Sequence, residues 1–183
     1  MTLVLDLVVI GALVVVLPLV LQELIARKNA RMVDESALKY TGASSREELV
    51  NRRAHVNRDP RFAQNPANTG FIFFYDCRDA DLVIEGALPA CEFFGISVYD
   101  RFSMPMPSMV IDDDVRDSGG RYAIFLTTRP RGARNEIDVS ANPRGTGIIR
   151  YSHMTHPETI EQYEPNLEVV ARDDQDAPAQ TPG

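Results

Sequence analysis

The chain of 183 residues contains no tryptophan and only two cysteines, Cys77 and Cys91. So few thiols exclude a disulfide-dense secreted scaffold and a zinc site built on cysteine. They leave two arrangements open: one disulfide in an oxidising compartment, or two unbridged thiols in a reducing one. Histidine is scarce as well, with three in the chain. His153 and His156 stand one helical turn apart, but a metal needs three or four ligands and no third is implied nearby, so the pair reads as surface histidines ahead of Pro157. Positive charge is in deficit: the formal net charge is -7, and arginine far outnumbers lysine. That balance argues against a nucleic-acid partner.

One long hydrophobic run is present. From Leu7 to Leu21 there is no charged residue, and Asp6 and Glu23 bracket the run. With its apolar flanks it extends to about 24 residues, enough at ~1.5 Å per residue to cross a ~30 Å hydrocarbon core. A cleavable signal peptide has a basic start and a small-x-small cleavage site. Here the run is preceded by Met-Thr-Leu-Val-Leu-Asp and followed by Gln-Glu-Leu-Ile-Ala-Arg-Lys. Residues 1–26 are therefore expected to form a retained single-pass transmembrane helix, all-round apolar as a lipid-facing helix is. Gly11 and Pro18 are its candidate contact points. Arg27, Lys28 and Arg31 follow the span, which by the positive-inside rule puts the rest of the chain in the cytoplasm.

After the span about 155 residues remain, enough for one domain with a core. Residues 27–69 read as a connector of helix and loop. Leu24, Ile25, Met32 and Val33 continue an amphipathic helix to a break at Gly42. Ser45-Arg-Glu-Glu48 matches a capping box and predicts a short helix from Glu47 to about His55; turn-rich sequence follows to Gly70.

From Phe71 the periodicity becomes that of strands. Phe71–Tyr75, Leu82–Ile84, Phe93–Tyr99, Met109–Ile111, Tyr122–Thr128, Ile137–Val139 and Gly147–Tyr151 are short, apolar or aromatic, and bounded by turn residues. With no helical pattern between them, residues 70–170 are expected to form a mainly β, antiparallel, jelly-roll-like β-sandwich. Pro157 to Tyr163 reads as one short helix. Residues 171–183 hold nothing to bury and are expected to be disordered.

The stretch Gly86-Ala-Leu-Pro-Ala-Cys-Glu-Phe-Phe-Gly-Ile-Ser-Val-Tyr-Asp100 resembles the signature of the domain-of-unknown-function family numbered twelve-fourteen. Asp117-Ser-Gly-Gly-Arg-Tyr-Ala-Ile, Asn135 and Gly145 to Tyr151 follow in the same order as that family's hairpin, Asn and final strand. The resemblance spans roughly Gly70 to Tyr151. Phe93, Phe94 and Glu136 stand where the family commonly has tryptophans. The resemblance implies a β-sandwich attached to an export or anchor segment, usually outside the cytoplasm. It implies no settled reaction. A periplasmic position would also make a Cys77–Cys91 disulfide natural.

Candidate chemistry is thin, and no catalytic, cofactor-binding or metal residues are assigned. Asp112, Asp113, Asp114 and Asp117 lack the alternating ligands of a calcium loop and read as a solvated hairpin tip. Ser97, Asp100 and His153 lack the nucleophile-elbow context of a hydrolase. Phe102-Ser-Met-Pro-Met-Pro-Ser-Met109 is expected to be a loop that cannot continue a sheet ladder, and Phe102, Met104, Met106 and Met109 make it an interface candidate. These observations favour a non-catalytic, single-pass accessory or assembly subunit of a larger membrane complex, respiratory or photosynthetic, in a prokaryotic-type inner membrane. Its partners would be the lipid bilayer and other integral membrane subunits. The alternative is an envelope-anchored module for a small ligand or carbohydrate.

Overall fold

The structure is a computed structural model that describes residues 2–58, 67–100, 105–111 and 119–172; side chains are described from Val16 onward and not within 105–111. The chain opens with a single helix, α1 (Thr2–Thr41), with Pro18 inside it. It ends where the sequence places a break. Gly42 takes φ +72°, a left-handed conformation that glycine adopts without strain, and its N–H donates to the Leu38 carbonyl at 3.0 Å.

The capping-box expectation is corrected by one residue and by type of element. Ser45 makes no side-chain cap, and the turn that follows is a 3₁₀ turn at Arg46–Glu48. It is Ser44 whose N–H and hydroxyl both donate to the Glu48 carboxylate. The expected helix to His55 is replaced by strand β1 (Ala54–Val56).

Eight further strands follow: β2 (Asn68–Asp76), β3 (Ala80–Ala87), β4 (Phe93–Asp100), β5 (Pro105–Ile111), β6 (Arg121–Thr127), β7 (Glu136–Asp138), β8 (Arg144–Ser152) and β9 (Asn166–Ala171), with a 3₁₀ helix at Pro157–Tyr163 before the last. They form a five-stranded sheet in the order β1-β2-β8-β4-β5 and a four-stranded sheet in the order β7-β6-β3-β9. The fold is thus mainly β, as expected, with several corrections. Strands β6 and β7 are parallel, Phe125 opposite Glu136, so the second sheet is mixed. Consecutive β4 and β5 stay in one sheet and β6 and β7 in the other, which departs from jelly-roll alternation. Pro105 to Ser108, expected to belong to a loop, instead extend the strand expected at Met109–Ile111 into β5, an edge strand paired to β4. Its prolines sit where the register shifts between Ser97 and Tyr99, the edge-and-bulge position that tolerates a missing N–H.

One apolar core lies between the sheets. Phe71, Phe73 and Tyr75 enter it from β2, Leu82 and Ile84 from β3, Phe94, Ile96 and Val98 from β4, Ile124 and Leu126 from β6. Gly147 leaves room for an aromatic ring: a Cβ there would stand 1.9 Å from the Phe73 ring. The Phe94 ring packs 4.8 Å from Tyr122 and 5.6 Å from Tyr151, centroid to centroid, and those two buried tyrosines share a hydroxyl contact of 3.1 Å. The aromatic pair named in the sequence therefore splits, Phe94 into the core and Phe93 to an exposed position.

Strand β2 is buried on both faces. Its alternate residues Ile72 and Phe74 point away from the core and join Val33 and Ala37 of α1 and Leu49 in a second apolar cluster. The molecule is therefore layered as helix on sheet on sheet, and the C-terminal part of α1 belongs to the folded body.

Candidate functional site

Helix α1 divides by burial. Ala26, Val33, Ser36 and Ala37 are buried, a spacing that keeps one helical face against the body. Upstream, Val16, Leu17, Leu19, Val20, Leu21, Leu24 and Ile25 are all exposed, from 47% to 61%. Pro18 is exposed among them, and Gly11 lies where side chains are outside the described residues. Arg27, Lys28 and Arg31 are exposed just beyond, with Arg27 Nε donating to Glu23 at 2.8 Å one turn back. Among the described residues no helix is long and apolar enough to cross a membrane.

The junction between helix and body is locked by Arg46. Its guanidinium lies 4.3 Å from the centre of the Phe74 ring. Nη1 donates to Asp34 on α1 at 2.9 Å, and Nη2 donates to the Gly145 carbonyl at the start of β8 at 3.1 Å. One side chain thus joins helix, turn and two strands. Burial raises the Asp34 carboxyl above its ordinary value, with Arg46 opposing that shift. Sequence reading missed this clamp, although the i, i+4 pair Val33 and Ala37 signalled a helix face that needed a partner.

Beside the junction is a shallow open cleft of about 270 Å³ lined by Tyr40, Arg53, Val56, Arg58, Glu161 and Glu164. Its charges pair with each other: Arg53 Nε donates to Glu164 at 3.0 Å, and Arg58 pairs with Glu161. No serine, threonine, cysteine or lysine is among these lining residues.

The other candidates are dispersed. Ser97 sits mid-strand opposite Ile148, Asp100 ends β4 opposite Gly145, and His153 follows Ser152, which pairs with Phe93 at the other end of β4. At ~3.4 Å per residue the two ends of that strand are about 24 Å apart, so these three residues form no triad. His153 takes φ +52° and places its Nδ1 4.0 Å from Glu92, while His156 Nδ1 lies 3.2 Å from Glu158. Among the described residues no group of three His, Cys, Asp or Glu side chains could hold a metal. Asp112, Asp113, Asp114 and Asp117 lie outside the described residues, as do Phe102, Met104 and 173–183; the backbones of Met106 and Met109 are on β5.

Neither cysteine is in a disulfide. Cys77 is buried and its thiol donates to the Leu126 carbonyl at 3.7 Å; burial pushes its pKa up to about 12, which makes it a structural thiol and not a nucleophile.

No family model and no curated protein matches the chain. A solved structure of an uncharacterised protein from Burkholderia cenocepacia is similar over 71% of this chain at 16% identity and a TM-score of 0.57. A solved protein from Vibrio parahaemolyticus aligns with 52% of this chain at 20% identity and a TM-score of 0.41. The chain spans 38% of the length of the first and 27% of the second. The first of these likenesses shows the fold.

Proposed function

We propose that the chain is a non-catalytic, single-pass membrane-anchored accessory or assembly subunit, in which α1 enters the bilayer among other integral subunits and the two-sheet body braces an extrinsic face of their complex. One observation carries this reading: the exposed apolar stretch from Val16 to Ile25 and the buried positions Ala26, Val33, Ser36 and Ala37 belong to one uninterrupted helix. A flexible tether would need a linker between them, and here there is none. Exposed apolar surface on this scale marks a surface that something covers, and the exposed Arg27, Lys28 and Arg31 beyond it suit lipid headgroups.

The test is extraction of the native membrane in mild detergent, then a native gel and mass spectrometry of whatever migrates with the chain. Co-migration with a large complex in fixed stoichiometry is the expected result. Migration as a lone species sinks the subunit reading. The cleft between Tyr40 and Glu164 favours a second reading, an envelope-anchored module for a small polar ligand or carbohydrate. Saturable thermal stabilisation by a sugar panel, abolished by Tyr40→Ala, would support it.

A further inference from the structure

Four strands end the two sheets, and three have edges that resist further pairing. Strand β1 is three residues long and mostly buried, and β7 is likewise three residues long. Strand β5 carries Pro105 and Pro107 and a register shift. Short edges, prolines and bulges are the devices by which proteins prevent edge-to-edge association. Strand β9 has none of them. It pairs with β3 in regular register over six positions, from Ala80 opposite Ala171 to Glu85 opposite Asn166. Its other side is open among the described residues. Every residue of β9 except Leu167 is exposed, with Val169 at 51% and Val170 at 40%. It carries no lysine, and Glu168 is its one charge.

We propose that β9 pairs antiparallel with β9 of a second copy, about a two-fold axis through Val169, to join the two four-stranded sheets into one. The regular six-residue edge with its single charge suits a second copy, because self-pairings exist in which no like charges meet, and charge excludes the register centred on Glu168. A two-fold axis normal to a sheet edge keeps each face on its own side, so a residue must lie opposite itself. Centred on Glu168, the pairing sets two like charges directly opposite, which is destabilising. Centred on Val169, it sets Val169 against its copy, Glu168 against Val170 and Leu167 against Ala171. No like charges meet across that ladder, and the exposed Val169 gains an apolar partner in its own copy. Beyond the strand, Arg172 Nε donates to Asp81 at 2.9 Å and its other nitrogens donate to the Cys77, Arg78 and Ala80 carbonyls. That anchor holds the C-terminal end of β9 straight along β3. Six paired residues make a small interface, so the dimer is concentration-dependent.

The experiment is mild oxidation of full-length protein in detergent carrying Val169→Cys, Glu168→Cys or Val170→Cys, resolved by non-reducing electrophoresis. Residues directly opposite in an antiparallel pair have Cα atoms ~4.5–5.5 Å apart, within disulfide reach. Val169→Cys is expected to give a cross-linked dimer, and the other two far less. In parallel, Val169→Lys is expected to weaken dimerisation by roughly tenfold in sedimentation, by setting like charges opposite each other. Cross-linking strongest at Glu168→Cys or at Val170→Cys overturns the register. A chain that stays monomeric at every concentration, or a dimer indifferent to Val169→Lys, overturns the proposal.

Discussion

His55 lies on the outer face of β1, only 8% exposed, with both ring nitrogens lacking a hydrogen-bond partner and the ring centroid 6.2 Å from that of Phe74. Burial, with a smaller contribution from Arg53, lowers its pKa from 6.5 to about 4. The folded state therefore holds the ring neutral over a range in which the unfolded chain protonates it. That contribution is fully present above pH 6.5 and is lost as pH falls toward 4, amounting to roughly 3 kcal/mol. His55→Leu is expected to remove it, so the stability difference between variant and parent in urea should swing by about that amount, in the variant's favour, between pH 7 and pH 4. A constant difference across that range would show that the ring is not held neutral by burial. His55 was invisible to sequence reading for a specific reason. The capping signals at Ser45 to Glu48 assigned it to a helix end, and only the pairing of β1 with β2 reveals what covers it.

At the scale of elements, the strands that read clearly were those with strong alternation or aromatic runs: β2, β3, β4, β6 and β8. The unbroken Phe-Ile-Phe-Phe-Tyr of β2 also held a signal that went unused, since a strand apolar at every position is buried on both faces. Its second cover is α1. Strand β7 is also read, one residue late, from Ile137–Val139; the less legible elements each had a local feature arguing against a strand: prolines in β5, a central glutamate and preceding Pro165 in β9, three residues only in β1. Parallel pairing of β6 with β7 has no local signal, because it depends on where the chain returns. The seating of α1 leads to a pair of truncations. A chain beginning at Ala26 keeps the helix face over Ile72 and Phe74, and its thermal stability should match the parent within about 1 kcal/mol. A chain beginning at Gly42 exposes both side chains at a cost of about 3–6 kcal/mol, a large share of a domain's stability, and should elute as aggregate in size-exclusion chromatography.

For the whole molecule, the candidate site was legible in part. The apolar run, its basic flank and the thin catalytic chemistry follow from composition and order. The clamp of Arg46 on Asp34, Phe74 and Gly145 does not, because it joins residues as many as 99 positions apart. That clamp and the uninterrupted helix make α1 a rigid shaft between the apolar stretch and the body, with Pro18 well upstream of the joint. A shaft transmits angle as well as distance. Each residue added between Ile25 and Ala26 would turn the two sheets by about 100° around the helix axis and advance them ~1.5 Å, whereas seven residues would return them to within ~20° of the starting heading. In the membrane complex proposed above, insertion of one alanine should abolish cross-links between the body and its neighbours, and insertion of seven, which restores the heading but lifts the body by about 10.5 Å, should restore those made with a spacer long enough to span that rise. The helix then acts as a compass bearing written in residue count, setting which side of the β body faces its neighbour.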